Sequence, residues 1–353
     1  MNTLKYDASG ACTSNKGENI ANCFNSPHGT NQADSGNLLF MSHPLIVILN
    51  PASGKSDDDY RSEVEAAFQK SGAAFEIRET SPHCQGDKLA RQALEEGARE
   101  IVACGGDGTV MAVVNGIARA QLSVETGTDE NNRCTLSIVP GGTANLVAAA
   151  LGIPTEFGRA VALATGHNAR VRTIDLGQCE QLYFVLGVGV GLTERLVSRT
   201  SSRDKETLGK LAYVKAMLSD LGARPHSIKF KLDDRNSKRA RGVAVVIANA
   251  RTIGTHLDFA PDAKMDDGQL DLCILHSFGL RDLVRIVWHS LRGQLPKDRG
   301  ISFYQARRIE ITTDPPLDVQ VDGELEKLPL PLIAQVVTGA LQVRVPDQEN
   351  YVS

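Results

Sequence analysis

Three short stretches of this chain combine glycine with small polar residues in a way that suits phosphate. They are Asn50-Pro51-Ala52-Ser53-Gly54-Lys55, Gly105-Gly106-Asp107-Gly108-Thr109 and Pro140-Gly141-Gly142-Thr143-Ala144-Asn145. Glycine lets backbone N–H groups approach an anion closely, and a turn that opens a helix adds unpaired donors and a favourable dipole. Asp107 is the odd member, because a carboxylate repels phosphate unless a cation stands between them. That points to Mg²⁺, held by a carboxylate and substrate phosphates, and so to a nucleoside triphosphate. Taken alone, residues 105–109 also read as a tight turn whose Asp caps a helix. The recurrence of such turns favours a ligand.

Two common phosphate motifs do not fit. Ser53-Gly54-Lys55-Ser56 ends like a P-loop, but the required earlier glycine falls at Leu49, and no GxGxxG opens the first helix. The seven cysteines form no CxxC pair, and the eight histidines show neither HxxxH nor HExxH spacing, so neither a disulfide framework nor a histidine-ligated metal is indicated.

The elements that must hold these turns follow from apolar periodicity. Leu45–Leu49 and residues 74–79, 101–104 and 136–139 read as strands, with helices over 60–70, 89–97, 109–120 and 144–151. Strand–helix alternation predicts right-handed crossovers and a parallel sheet, whose turns then share one carboxyl edge and one crevice. From about residue 166 the pattern changes to alternating strands, such as Ile228, Phe230 and Leu232, with hairpin signals at 233–236 and at Asp322-Gly323. Helices over 208–221 and 280–291 interrupt it. The fold expected is therefore a Rossmann-like α/β domain over 44–167 followed by a β-sandwich over 168–346. Residues 1–43, rich in Asn, Ser and Gly, read as a disordered tail, or as sequence preceding a start at Met41, and 347–353 as a short C-terminal tail.

Composition narrows the partners. The 353 residues are 42% hydrophobic and 23% charged, which is ordinary for a folded chain of about two domains. A net charge of −4 and 5% aromatic residues give neither the field nor the stacking surfaces for nucleic acid. No apolar run is long enough for a transmembrane segment, and no secretory signal opens the chain, so a cytoplasmic protein is expected.

Those turns, together with Asp267-Gly268-Gln269-Leu270-Asp271 and Val321-Asp322-Gly323-Glu324, occur in the order seen in the diacylglycerol kinase catalytic-domain family, which the chain resembles over about 43–346. The family includes bacterial lipid kinases and sphingosine and ceramide kinases, and its GGDGT motif is shared with NAD kinases. The resemblance implies ATP-dependent phosphorylation of a lipid hydroxyl in a cleft between a nucleotide domain and a β-sandwich. By position it makes Asn50, Ser53, Thr80, Gly105, Gly106, Asp107, Gly108, Thr109, Gly142 and Thr143 nucleotide contacts, with Glu324 the catalytic base and Asp322 its support. It likewise implies a magnesium loop formed by Asp267 and the carbonyls of Lys264 and Gln269. Read without it, Asp322-Gly323 is a hairpin turn and 264–269 a surface turn. The chain departs from the family pattern at Met111 and Ala112, where Asn and Glu are common, at Leu146, where Asp is frequent, and at Leu186, a common Asn position.

A lipid acceptor implies peripheral membrane association. Arg281, Arg285 and Arg292 on the helix over 280–291, with Lys297 and Arg299 beyond it, and Arg195, Arg199, Arg203 and Lys205 are the basic runs that could meet anionic headgroups, or be solvated faces. A NAD kinase-like phosphotransferase and a non-catalytic nucleotide or lipid sensor stand as alternatives. The acceptor lipid and oligomeric state are not encoded in any motif, and a homodimer is left open.

Overall fold

The computed structural model describes residues 5–6, 12–13, 44–53, 57–82, 84–122, 133–191, 224–251, 260–276 and 300–347. Residues 1–41 and 42–353 form separate units. In the first, β1 (Lys5–Tyr6) pairs antiparallel with β2 (Cys12–Thr13). The second contains every other element. The helices expected over 208–221 and 280–291, and the basic runs in and around them, lie outside the described residues.

The second unit begins with β3 (Leu45–Leu49), α1 (Asp57–Ser71), β4 (Phe75–Glu79), α2 (Gly86–Glu95), β5 (Glu100–Gly105), α3 (Asp107–Leu122), β6 (Thr135–Pro140), α4 (Leu146–Ala150) and α5 (Phe157–Ala164). All pairings among β4, β3, β5 and β6, which lie side by side in that order, are parallel. Every residue of β3 is buried, as expected for a strand covered on both faces. Val113, Val114 and Ile117 of α3 join the core on one face, with Leu89 and Ala93 of α2. Val64 and Phe68 of α1 and Val161 of α5 close the other. These helices fill both sides of the sheet and leave its carboxyl edge to the turns.

The remaining strands are β7 (Ala169–Cys179), β8 (Leu182–Phe184), β9 (Gly187–Val190), β10 (His226–Leu232), β11 (Lys238–Gly242), β12 (Ala244–Ala248), β13 (Leu270–Leu275), β14 (Ile301–Ala306), β15 (Arg308–Asp314), β16 (Val319–Val321), β17 (Glu324–Glu326) and β18 (Leu332–Pro346). One antiparallel sheet runs β14-β13-β12-β9-β16-β17. Its inward residues Val188, Val245 and Ile247 meet Ile228, Phe230 and Ile311 of the opposing strands in a second core, forming the expected sandwich. Both predicted hairpins form, joining β10 to β11 and β16 to β17.

The opposing sheet does not stop at the sandwich. The C-terminal half of β18 returns to the α/β lobe and pairs in parallel with β6, through Gln342–Thr135 and Val343–Leu136, while pairing antiparallel with β7. A single ten-stranded sheet thereby carries the main-chain order β11-β10-β15-β18-β6-β5-β3-β4 through both lobes.

Candidate active site

The glycine-bearing turns meet at the carboxyl edge of β3, β5 and β6, where side-chain and backbone bonds join them, including Gly141 N–H to Gly105 O at 2.9 Å. Asn50, just after β3, donates from Nδ2 to Thr109 Oγ1 at 3.0 Å, and its Oδ1 accepts the Ala52 N–H at 3.1 Å. Its own N–H donates to Cys104 O on β5, and Thr80, just after β4, donates to Leu49 O. The turn after β6 lies directly on the turn after β5. A β-carbon at Gly142 would stand 2.6 Å from the Gly106 Cα, so no side chain fits there. Asn145, at φ 48°, closes this turn by accepting the Gly142 N–H and donating to Gly142 O. Thr143 is exposed at its tip, and Ser53 donates its N–H to Asn50 O. Gly54 and Lys55 lie outside the described residues.

Asp107 opens α3 rather than capping it from outside, and it serves a different helix. Its Oδ1 accepts the Val147 N–H at 3.1 Å and so serves a donor at the start of α4, while its residue also borders a cleft of about 240 Å³. Gly108, Met111 and Ala112 of α3 line one wall of that cleft; Asp322 and Glu324 line the other. The walls come very close. A β-carbon on Gly108 would stand 2.8 Å from Glu324 Oε1, so the carboxylate from the sandwich lobe lies over the glycine turn that opens α3 in the α/β lobe.

Asp322 and Gly323, both at positive φ, form the two-residue turn between β16 and β17. The hairpin turn read from the sequence therefore forms here. The Asp322 carboxylate is buried and accepts three backbone N–H groups, from Val185 at 2.8 Å, Leu186 at 2.9 Å and Gly187 at 2.8 Å. Burial, opposed by these three bonds and reinforced by the Asp107 charge, pushes its pKa up to about 6. Leu186 is itself buried, and it meets Asp322 through its backbone.

The Asp267 turn is not among the residues lining the cleft. Asp267 Oδ1 accepts the Gln269 N–H, and the turn is anchored by buried Asp175, whose two oxygens accept Gly268 N–H and Gly339 N–H at 2.7 Å each. Burial, with Asp175 and Asp266 nearby, raises the pKa of Asp267. Asp107 thus belongs to the cleft, whereas Lys264, Asp267 and Gln269 belong to a separate turn. Among the described residues no group of three or more His, Cys, Asp or Glu side chains is arranged to hold a metal.

Seven cleft residues escaped the sequence reading, among them Gln85, Asp87, Leu182 and Glu326. Asn115 and Arg119 on α3 and Tyr183 on β8 complete the wall beyond Met111. Asn115 was legible in principle, as the one amide among Val110, Val113, Val114 and Ile117 on the buried side of a helix.

Two lobes thus share one sheet, with glycine turns at the edge of one and an acidic hairpin of the other folded over them. Residues 44–179 match the diacylglycerol kinase catalytic domain, and residues 187–345 match the YegS C-terminal NAD kinase beta sandwich-like domain. The chain belongs to the diacylglycerol kinase family. It is 33% identical over 285 residues to the diacylglycerol kinase of Bacillus subtilis (strain 168), covering 79% of this chain and 88% of that one. The diacylglycerol kinase of Staphylococcus aureus (strain MRSA252) is 30% identical, with 79% and 85% covered. In fold, a crystal structure of a diacylglycerol kinase from Bacillus anthracis superposes with a TM-score of 0.65 at 22% identity, covering 88% of this chain and 98% of that one. Among the described residues no helix is long and apolar enough to cross a membrane.

Proposed function

We propose that this chain is an ATP-dependent lipid kinase that transfers the γ-phosphate to the hydroxyl of a diacylglycerol-like acceptor, with Glu324 as general base. The observation that carries the reading is the placement of the Glu324 carboxylate over Gly108, at the turn suited to the triphosphate. Phosphoryl transfer has a loose transition state, so catalysis consists chiefly of alignment and charge neutralisation. The acceptor oxygen forms the new bond to phosphorus as the bond to the β-phosphate oxygen breaks. The hydroxyl proton passes to Glu324, and ADP leaves. Asn50, Ser53, Thr80, Gly105, Gly106, Gly108, Thr109, Gly142 and Thr143 form the triphosphate and nucleotide cradle in this reading, and Asp322 holds the hairpin that presents the base.

Asp107, facing the same cleft, is suited to Mg²⁺ shared with the phosphates, where the ion supplies charge neutralisation. The Asp267 turn also fits a hard cation. Its carboxyl is crowded by Asp175 and Asp266, and the carbonyls of Lys264 and Gln269 are the further oxygen donors proposed for it. The lipid acceptor places the reaction at a membrane surface, which the protein reaches by peripheral association from the cytoplasm.

The test is transfer from labelled ATP to diacylglycerol, monoacylglycerol, sphingosine, ceramide, phosphatidylglycerol and NAD offered in mixed micelles. A labelled lipid is expected; label in NAD alone overturns the lipid reading. Glu324→Gln should lower kcat by about 10²- to 10⁴-fold while ATP binding persists. Unchanged turnover removes Glu324 from the role of base.

A further inference from the structure

We propose that Asn115 is a positioning residue that sets where Glu324 stands over Gly108. The proposal rests on the reading of Glu324 as the base. Asn115 lies about two turns along α3 from Gly108, buried to 9% exposure. Its amide treats Tyr183 as a neighbouring strand would: Nδ2 donates to Tyr183 O at 3.0 Å and Oδ1 accepts the Tyr183 N–H at 2.9 Å. The second Nδ2 hydrogen goes to Met111 O at 3.0 Å, so every donor of the amide is used. One turn further on, Arg119 grips the adjoining loop, donating from Nε and Nη2 to Gln181 O. α3 therefore supplies the pairing along the side of β8 that β7 does not occupy.

What α3 holds at Tyr183 is held again two residues later by the acidic hairpin. Asp322 accepts the N–H groups of Val185, Leu186 and Gly187, and donates its own N–H to Gly187 O. Asn249 takes the remaining carbonyls, with Nδ2 on Val185 O and its N–H on Leu186 O. Phe184 is paired with Gly177 across the β7–β8 hairpin. With its backbone groups engaged and its side chains buried, residues 183–187 form a splint with little freedom to yield. At one end it is tied to the helix that begins at the phosphate turn. The other end is tied to the turn that carries Glu324. The gap between phosphate and base is thus spanned by protein, through Asn115, Tyr183, Val185 and Asp322.

A positioning role differs from a stabilising one in a double-mutant cycle, because a residue acting through Glu324 has nothing left to act on once the carboxylate is gone. Single-turnover transfer from labelled ATP to diacylglycerol in mixed micelles is measured for wild type, Asn115→Ala, Glu324→Gln and the double variant. Asn115→Ala is expected to lower the rate at least tenfold with the KM for ATP within twofold. Added to Glu324→Gln, it should change the residual rate by less than twofold. A loss of the same size in both backgrounds overturns the positioning role and leaves the base assignment standing. Glu324→Gln at the wild-type rate instead removes the base, and this proposal with it. Should Asn115→Ala lose ATP binding, Arg119→Met reads the same coupling from the exposed side of α3, with a smaller loss in wild type that vanishes in Glu324→Gln; an equal loss in both backgrounds counts against the proposal.

Discussion

At the scale of single residues, Gly108 is where fold and chemistry make opposite demands. It occupies the first turn of α3, where alanine is the better helix former by up to about 1 kcal/mol. A methyl group there would lie 2.8 Å from Glu324 Oε1, too close for any real contact, and the flexible carboxylate would have to move aside. The backbone can accept this change; the proposed base cannot. Gly108→Ala is therefore expected to keep or slightly raise the melting temperature and to retain ATP binding, while kcat falls at least tenfold. Thermal unfolding and steady-state kinetics on one preparation check both halves. A variant with full kcat would mean that the position of Glu324 over this turn is irrelevant to transfer.

The hairpin of β16 and β17 is the element that presents Glu324, and its hold on residues 185–187 depends on a buried charge. With the pKa of Asp322 pushed up to about 6 from an ordinary 3.8, the folded protein keeps a proton between those values that the unfolded chain has released. Stability from this group is therefore full below about pH 4 and is lost as pH rises through about 6, a swing on the order of 3 kcal/mol. Activity should run the other way, because a protonated carboxyl is a poorer acceptor for three N–H groups and lets the hairpin loosen. The expected outcome is an acidic limb in kcat near pH 6, over a range in which wild type gains stability relative to Asp322→Asn. Asp271, also pushed up to about 6 by burial, contributes the same sign in both proteins and cancels in that difference. A stability difference that is flat from pH 4 to 7 would contradict this account.

At this same scale the sequence was most and least informative. The parallel strands were legible because continuous apolar runs such as Leu45–Leu49 have no other common explanation, and the β16–β17 hairpin because Asp-Gly prefers positive φ. α3 starts at Asp107, two residues before the predicted bound, and α2 at Gly86, three before, because glycine and the acids conceal a helix start. The splint at 183–187 was illegible as a device. Its character comes from Asn115, Asp322 and Asn249, which are remote in the chain and carry no signal singly. The same holds for Asp175, whose two accepted N–H groups fasten the Asp267 turn to the bend near Gly339.

At the scale of the whole second unit, alternation of strand type suggested two lobes in series, and β18 makes the mechanical unit larger than either. Its first half pairs with β15 and β7 in the sandwich sheet, its second half with β7 and β6, and the irregularity between Val337 and Leu341 lets one strand serve both. Packing follows the same continuity, since Leu341, Val343 and Val345 share a core with Ile101, Ile117 and Leu136 of the α/β lobe. A cleft whose walls must stay within a carboxylate's reach gains from this arrangement, because lobe rotation would break sheet hydrogen bonds as well as surface contacts. The two lobes should therefore unfold together. Under increasing urea, amides of β3 and of β15 are expected to lose hydrogen-exchange protection at one midpoint. Val343→Ala, which opens a cavity at a fully buried position between the lobes, should lower both midpoints equally, by a destabilisation of about 2 kcal/mol. If β15 kept its midpoint while β3 lost protection earlier, the lobes would be independent domains joined by a strand. The gap between Gly108 and Glu324 would then be free to open by hinge motion, without the sheet resisting it.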